Sequence, residues 1–440
     1  MAADDIVVIN VSTQFAPKAN NLQKIGDLVS QGGTTLAPGT RQLITQKKDL
    51  TSILKVALNN TALQWATGTV TVTTSTPHGI PTGDTVRWTV QGAIPAAYNG
   101  TFDVTSLTAD SFTYSLVNNP GAATGFGTSI DASVSEVTAM ANTYFAQGRT
   151  NSVYVLELGE GTAAEGVADL RAYLDANANR EYGFLVPRSF AAEASFPALV
   201  GDNSANDAMV YFFTTFSTQN AANAGAFAGM KGFFGFVEDD NTPVTEFTLA
   251  SVFFKILNRS PSNAEKVPPL QNGFLTGVTN GQFTDQQIST YQSLNLSYAI
   301  VGSEGGLTNT ILKGGKVGSG VFFNFWYSTD WAIINLHLNL ANEVINGSNS
   351  TINPLYYRQS GIDRLEGRAQ QVMNSGISFG LFLDPAPVSA VDFVTYTTSN
   401  PSDYAAGLYT GLSCQAVPQN GFTRIEFQLE VTDIPGAVAQ

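Results

Sequence analysis

Apolar positions along the chain recur at two different periods, and the period changes from region to region. Ile6, Val7, Val8, Ile9 and Val11 read as a strand that ends before Pro17, with no turn and second strand to complete a hairpin. Such a strand joins a distant sheet of its own chain or pairs with another chain. From 64 to 130 short alternating runs take over: Val70 and Val72; Val86, Trp88 and Val90; Phe102 and Val104; Phe112, Tyr114 and Leu116. Turn clusters around Pro77-His78-Gly79, Gly83-Asp84, Tyr98-Asn99-Gly100 and Asp110-Ser111 separate them, which predicts a small all-β module. Its flanks differ. Residues 50–59 are compatible with helix, and Val134, Val137, Met140, Ala141, Tyr144 and Phe145 fall at helical spacing behind a Ser133/Glu136 capping box. The module therefore reads as an insertion between two consecutive helices of a mixed domain.

Beyond it, strand and helix alternate. Residues 153–158 predict a buried strand, Thr162 and Glu165 a capping box, and Val167, Leu170, Tyr173 and Leu174 a helical stripe. Strands at 182–186 and 233–237 and a helix over 245–257 follow, a pattern that predicts an α/β sheet covered by helices. A Pro-rich stretch over 260–269 is the candidate linker. Next come a helix capped by Thr284 and Gln287, a strand at 298–301, and a Gly-rich loop at 313–320 leading into 321–325. Two amphipathic helices follow, one beginning near Trp331 and running through Ile345, the other from Ile362 to Val372. At the end, Ile425, Phe427, Leu429 and Val431 alternate with Arg424, Glu426, Gln428 and Glu430, giving one apolar and one charged face with no hairpin partner nearby. The expectation is a multi-domain mixed α/β (α+β) protein. It divides into an N-terminal arm (1–20), an α/β domain (21–63 plus 131–265), the inserted all-β module (64–130), a C-terminal α/β domain (270–420) and a C-terminal strand or arm (421–440).

Composition sharpens this. Charged residues make up 13% of the chain, roughly half the ~25% usual for soluble domains, so Ser, Thr, Asn, Gln and Gly must cover much of the surface. Such a surface tolerates close contact with copies of itself. A net charge of −14 argues against nucleic acid, whose phosphates need clustered cations. Cys414 stands alone and cannot form an internal disulfide, and with His78 and His337 far apart no zinc-ligand spacing exists. The acidic start lacks the pattern of a secretion signal, and no run of about 20 apolar residues occurs, so membrane insertion is not expected and synthesis in the cytoplasm is.

Candidate chemistry is sparse. Gly159-Glu160-Gly161-Thr162-Ala163-Ala164 matches a dinucleotide-loop pattern in outline, but Glu160 would set a carboxylate where pyrophosphate should lie, so an ordinary strand-to-helix turn is expected. The loop around Lys316 lacks the Ser or Thr that a phosphate-binding loop places after its Lys. Asp330 and His337 form a conceivable acid–base pair without any nucleophile motif. Asp239-Asp240-Asn241 lacks calcium-loop spacing. Trp326, Tyr327 and Trp331 could make a sugar platform but fit a core better. No catalytic residue, cofactor or metal site is expected; the reading is of a protein that is not an enzyme.

Two sets of residues resemble known phage proteins. The helix ending in Tyr144-Phe145-Ala146-Gln147 with the strand from Ser152, and the segment Gly315 to Gly320, Phe322-Phe323-Asn324 and Ser328-Thr329-Asp330-Trp331, resemble contractile phage tail sheath proteins, with Asn324 and Ser328 in place of that family's Asp and Gly. Pro77-His78-Gly79, Gly83-Asp84-Thr85-Val86, Tyr98-Asn99-Gly100 and Phe112-Thr113-Tyr114 resemble β modules inserted in phage tail proteins. The resemblance implies a structural subunit, assembled in the host cytoplasm and carried in the virion tail. It stacks as homo-oligomeric rings around a tail tube protein, contacts baseplate and tail terminator proteins, and contracts to drive the tube through the host envelope. It also implies arms that add strands to neighbouring subunits, for which the two terminal strands are the candidates. The cations Lys313, Lys316, Arg358, Arg364 and Arg368, concentrated between 282 and 370, are the expected tube-facing set. The alternatives are a tail tube or baseplate structural protein, or a glycan-binding tail protein acting through the insert.

Overall fold

The computed structural model describes residues 25–148, 152–177, 181–205, 208–259, 261, 264–302 and 309–423. The chain opens on β1 (Gly26–Ser30), buried at every position, followed by β2 (Thr40–Ile44) and the short helix α1 (Lys47–Thr51). It then leaves the core to build β3 (Leu58–Ala66), β4 (Thr69–Thr74), β5 (Thr85–Ile94), β6 (Gly100–Thr108), β7 (Ser111–Ser115) and β8 (Gly125–Asp131). These six close into a barrel in the order β3-β4-β7-β6-β5-β8. Val70, Val72, Trp88, Val104, Phe112 and Tyr114 fill it, and threonines stand outside in facing pairs such as Thr85–Thr105 and Thr89–Thr101, each 2.9 Å between hydroxyls.

The barrel begins at Leu58, six residues before the expected edge, and the helix expected over 50–59 stops at Thr51. Closure explains this. Leu58 and Asn59 pair with Ser129 and Thr128 and seal the barrel, so pairing with a distant strand overrides local helix compatibility. Helix α2 (Ala132–Ala146) starts as soon as β8 ends. Its cap is Asp131, which accepts from the Ser133 amide at 2.6 Å, rather than Ser133 itself. Glu136, expected to complete the box, instead accepts from the Arg188 amide at 3.0 Å.

The core continues through β9 (Val153–Glu157), α3 (Ala163–Ala176), β10 (Gly183–Leu185), α4 (Phe196–Ala205), β11 (Tyr211–Phe216), β12 (Phe233–Val237), α5 (Leu249–Leu257), α6 (Asp285–Ser293), β13 (Ser297–Val301) and β14 (Thr310–Lys313). The capping boxes at Thr162/Glu165 and Thr284/Gln287 form as the sequence predicts. After them come the long helices α7 (Phe323–Ser348) and α8 (Gln359–Ser378), then β15 (Val388–Ala390), α9 (Phe393–Ser399), α10 (Pro401–Ala406) and β16 (Leu412–Cys414), with β15 and β16 paired. Among the described residues, eight strands form one sheet in the order β14-β13-β12-β11-β10-β1-β9-β2. The inner pairings are parallel, and β14 and β2 add antiparallel at the two edges. The sheet runs across the Pro-rich stretch, because β13 and β14 follow that stretch in sequence and extend from β12.

Both faces of the sheet are covered, which is why its central strands read as unbroken apolar runs. Leu28, Val155, Leu185, Phe213 and Phe234 lie on the face under α2, α5 and α7. Val29, Leu156, Phe184, Phe212 and Phe233 lie on the face under α3, α4 and α6. Helix α7 starts eight residues earlier than its apolar stripe predicts. Phe323, in its first turn, packs edge-on against Tyr211 with ring centroids 4.9 Å apart and also meets Phe213 and Phe234. Two turns on, the Asp330 carboxylate is buried and accepts hydrogen bonds from the Tyr211 and Tyr182 phenols at 2.7 and 3.1 Å. Lys231 lies 3.6 Å from its other oxygen. Burial pushes the Asp330 carboxyl up, and the Lys231 ammonium and the two phenols pull it back.

Two outcomes follow from this architecture. Asp330→Leu breaks the buried ion pair and leaves two buried phenols without their acceptor; chemical unfolding should show a loss of about 3–5 kcal/mol, and a loss under 1 kcal/mol would contradict the anchoring described. Replacing 60–128 by a short Gly/Ser bridge joins two positions that already face each other across β3 and β8. That variant should keep the far-ultraviolet circular dichroism of the α/β core and unfold cooperatively, whereas a broad, non-cooperative transition would make the barrel a required part of the core.

Candidate functional site

The arm candidates Ile6, Val7, Val8, Ile9 and Val11, and Ile425, Phe427, Leu429 and Val431, lie outside the described residues. The five candidate tube-facing cations fall into two groups. Lys313 ends β14 and Lys316 follows in the next loop, and both line one groove of about 450 Å³. The groove's remaining walls include the amides of Gln292 and Asn295, and no Asp or Glu lines it. Lys313 Nζ donates to Asn272 Oδ1 at 2.7 Å, and Asn272 Nδ2 donates to the Phe422 carbonyl at 3.0 Å. Asn272, not singled out in the sequence, thus links a lysine to the last stretch of described chain. Thr423, the last described residue, is itself part of the groove.

The arginines lie along α8. Arg364 is committed to Glu343 of α7 through Nη2 at 2.5 Å and to the Asn353 carbonyl at 3.1 Å. Arg358 precedes the helix, stands over the Tyr356 ring at 5.2 Å and donates to Ser360 Oγ at 2.9 Å. Arg368 donates to Gln371 Oε1 at 3.1 Å. Arg358 and Arg368 therefore meet uncharged partners and Arg364 a carboxylate.

Apolar exposure is concentrated in the same C-terminal part. Tyr356, Val394, Tyr404 and Leu408 are about half exposed or more, and the Tyr404 ring packs with those of Tyr357 and Phe393, Tyr357 also meeting Tyr409. On α7, Leu338 and Ile345 are exposed as well. Contiguous exposed apolar surface of this kind marks places where another macromolecule packs. The chemistry considered from sequence is placed otherwise. Asp330 is buried in its tyrosine and lysine contacts, and His337 lies seven residues on, about 10 Å along the helix axis. Among the described residues, no group of three or more His, Cys, Asp or Glu side chains is arranged to hold a metal ion, and no helix is long and apolar enough to cross a membrane.

The Gly159–Ala164 turn is the joint between barrel and core. Glu157 accepts from the Gly32, Thr34 and Gly159 amides at 2.6, 3.0 and 2.8 Å. Glu160 is buried against Asp131, where β8 meets α2, and bonds Lys55, which precedes the barrel. Gly32 passes this pair at φ +86°, and a Cβ there would meet Glu160 Oε2 at 2.7 Å and Asp131 Oδ2 at 2.8 Å. Burial, then the Asp131 charge, pushes the Glu160 carboxyl up to about 9, with Lys55 opposing.

No protein-family model matches the sequence, and no curated protein matches it. Among solved structures, 98% of the chain aligns with 99% of a chain from the anti-feeding prophage baseplate, 6-fold symmetrised, at 11% identity and a TM-score of 0.55. A chain of the same baseplate in its contracted state aligns over 98% and 99% at 11% identity and a TM-score of 0.49. The sheath tail protein of Listeria innocua aligns over 85% of this chain and 89% of its own at 8% identity and a TM-score of 0.44. The first likeness, end to end in both chains, shows a common fold.

The Glu160 joint gives a pH dependence. Its carboxyl titrates near 4.5 when unfolded and near 9 when folded, so the folded chain binds the extra proton between those values. The contribution is present in full below about pH 4.5 and is lost as pH rises through about 9. Glu160→Gln, neutral throughout, should flatten the fall in thermal stability between pH 5 and 9; an unchanged slope would mean the carboxyl is ionised in the folded chain.

Proposed function

We propose that this chain is a structural subunit of a contractile tail sheath, assembling helically around a tail tube and contracting to drive that tube through a host envelope. The observation that carries the reading is the fold shared over the full length of both chains with a component of the anti-feeding prophage baseplate particle. The sheath-like motifs at 144–158 and 315–331 support it, and so does the weakly charged surface with its exposed apolar patch over α9 and α10.

In this reading Ile6–Val11 and Ile425–Val431 are arms that pair with sheets of neighbouring subunits, each contributing several main-chain hydrogen bonds at roughly 0.5–1.5 kcal/mol net. The described chain reaches Thr423 in the Lys313/Lys316 groove, before the expected C-terminal arm begins, so truncation there removes that arm whole. The tube-facing surface is assigned to the C-terminal region, with Arg358 and Arg368 as cations available for polar contacts that hold the tube before contraction and release it afterwards. Lys313 and Lys316, which also meet uncharged partners, belong to the same set, and Arg364, paired with Glu343, completes it. The barrel projects outward, since an inward module would collide with the tube. A baseplate component is the second reading, favoured by the likeness to a chain of the anti-feeding prophage baseplate.

Electron microscopy of the purified chain tests the proposal: hollow helical tubes are expected from a sheath subunit, closed rings or small assemblies from a baseplate component. Truncation after Thr423 should give monomers with an intact α/β core and no tubes. Tubes of normal length from the truncated chain would refute arm pairing at the C-terminus.

A further inference from the structure

Arg259 lies two residues past the end of α5 and is 7% exposed. Its Nη1 donates to the Asn324 side-chain oxygen at 2.9 Å, and its guanidinium stands 5.4 Å from the Tyr327 ring centroid. Both contacts are uncharged. Among the described residues, no Asp or Glu forms an ion pair with it. Burial lowers its pKa to about 10, with Tyr327 and Tyr182 opposing, so the side chain still carries its charge near neutrality.

A buried cation without a counter-charge is costly, and proteins supply a partner or neutralise the group. Arg259 stays charged and offers five donors, while Asn324 has a single oxygen and spends its amide on Gln271 Oε1 at 3.3 Å. Beside the guanidinium lies a cavity of about 50 Å³. Arg259, Asn324, Ser328, Gly380, Gln419 and Asn420 line it, so its polar wall is guanidinium, hydroxyl and amide, with no carboxylate to repel a negative charge. A space of this size holds one small ion or a water or two. It lies where three stretches meet: the end of α5, the first turns of α7, and the 380–381 and 419–420 segments joined by the Gln419 amide bond to the Leu381 carbonyl at 2.9 Å.

We propose that this cavity is a binding site for a compact monovalent anion of the chloride class, held by Arg259 with the Ser328 hydroxyl and the Asn420 amide. The ion neutralises the guanidinium and ties α7 and the C-terminal segment to the end of α5. A carboxylate at position 324 would lie at the distance of the present Asn324 oxygen and take over the ion's electrostatic role.

The experiment compares thermal unfolding of the full chain in chloride, bromide and gluconate at constant ionic strength. Chloride and bromide should raise Tm by a few degrees over gluconate, with saturation. Asn324→Asp should lose that halide dependence and, in gluconate, reach the Tm that the unaltered chain shows in chloride. Arg259→Met should lose the dependence by removing the cation; should it fail to fold, Asn324→Asp decides the matter alone. Equal Tm of the unaltered chain in all three salts overturns the proposal. So does a halide dependence that survives in Asn324→Asp. An anomalous bromide peak beside Arg259 in bromide-grown crystals supports the site, and a water there in place of bromide overturns it.

Discussion

The architecture depends on one buried carboxylate being satisfied where α7 crosses the sheet. Asp330 receives the phenol of Tyr182, just before β10, and that of Tyr211, the first residue of β11, while Lys231, two residues before β12, faces its other oxygen. Three consecutive strands are thereby fixed at the same end by one helix. Had the carboxylate no such partners, burying it would oppose folding rather than orient it. With them, the contact selects one position of α7 on an otherwise apolar surface that includes Phe213 and Phe234, where apolar packing alone has little directional preference. The later half of α7 is then set at a defined angle and carries α8 through Glu343 and Arg364.

What the sequence made legible was local or fully buried. The run at 233–237 became β12 with the same limits, because a strand covered on both faces has no polar alternation to blur its ends. The Thr162/Glu165 and Thr284/Gln287 boxes formed because each closes within four residues. Ser133/Glu136 did not, because Asp131 at the end of β8 reaches the same amide and Glu136 is drawn to Arg188, 52 positions away. The start of α7 was hidden because the helical apolar stripe becomes plain only from Trp331 on, while Phe323 and Asp330 take their places only once the sheet beneath supplies partners. At the candidate site, the nearness of Lys313 and Lys316 followed from spacing, but the commitment of Arg364 to Glu343 did not. Nothing in the spacing around Arg259 marks its burial, which arises from three stretches converging on it.

The chain is poor in charge and places part of it in buried or half-buried pairs. Arg41 meets Glu181 at 2.7 Å, and Arg188 meets Glu238 at 2.7 Å and Glu136 at 3.4 Å. Interior pairs of this kind specify geometry more than they stabilise it. The surface left behind is hydroxyl- and amide-rich, interrupted by the aromatic patch around α9 and α10.

The barrel's closure has a consequence for crowding. A small open sheet would carry two rows of unpaired amides and carbonyls, each a template for pairing with another copy. Here β3 is hydrogen-bonded to both β4 and β8, so the ring has no first or last strand. Copies held at very high local density would therefore meet through threonine hydroxyls rather than free backbone, and could brush past one another without knitting into a continuous β-structure.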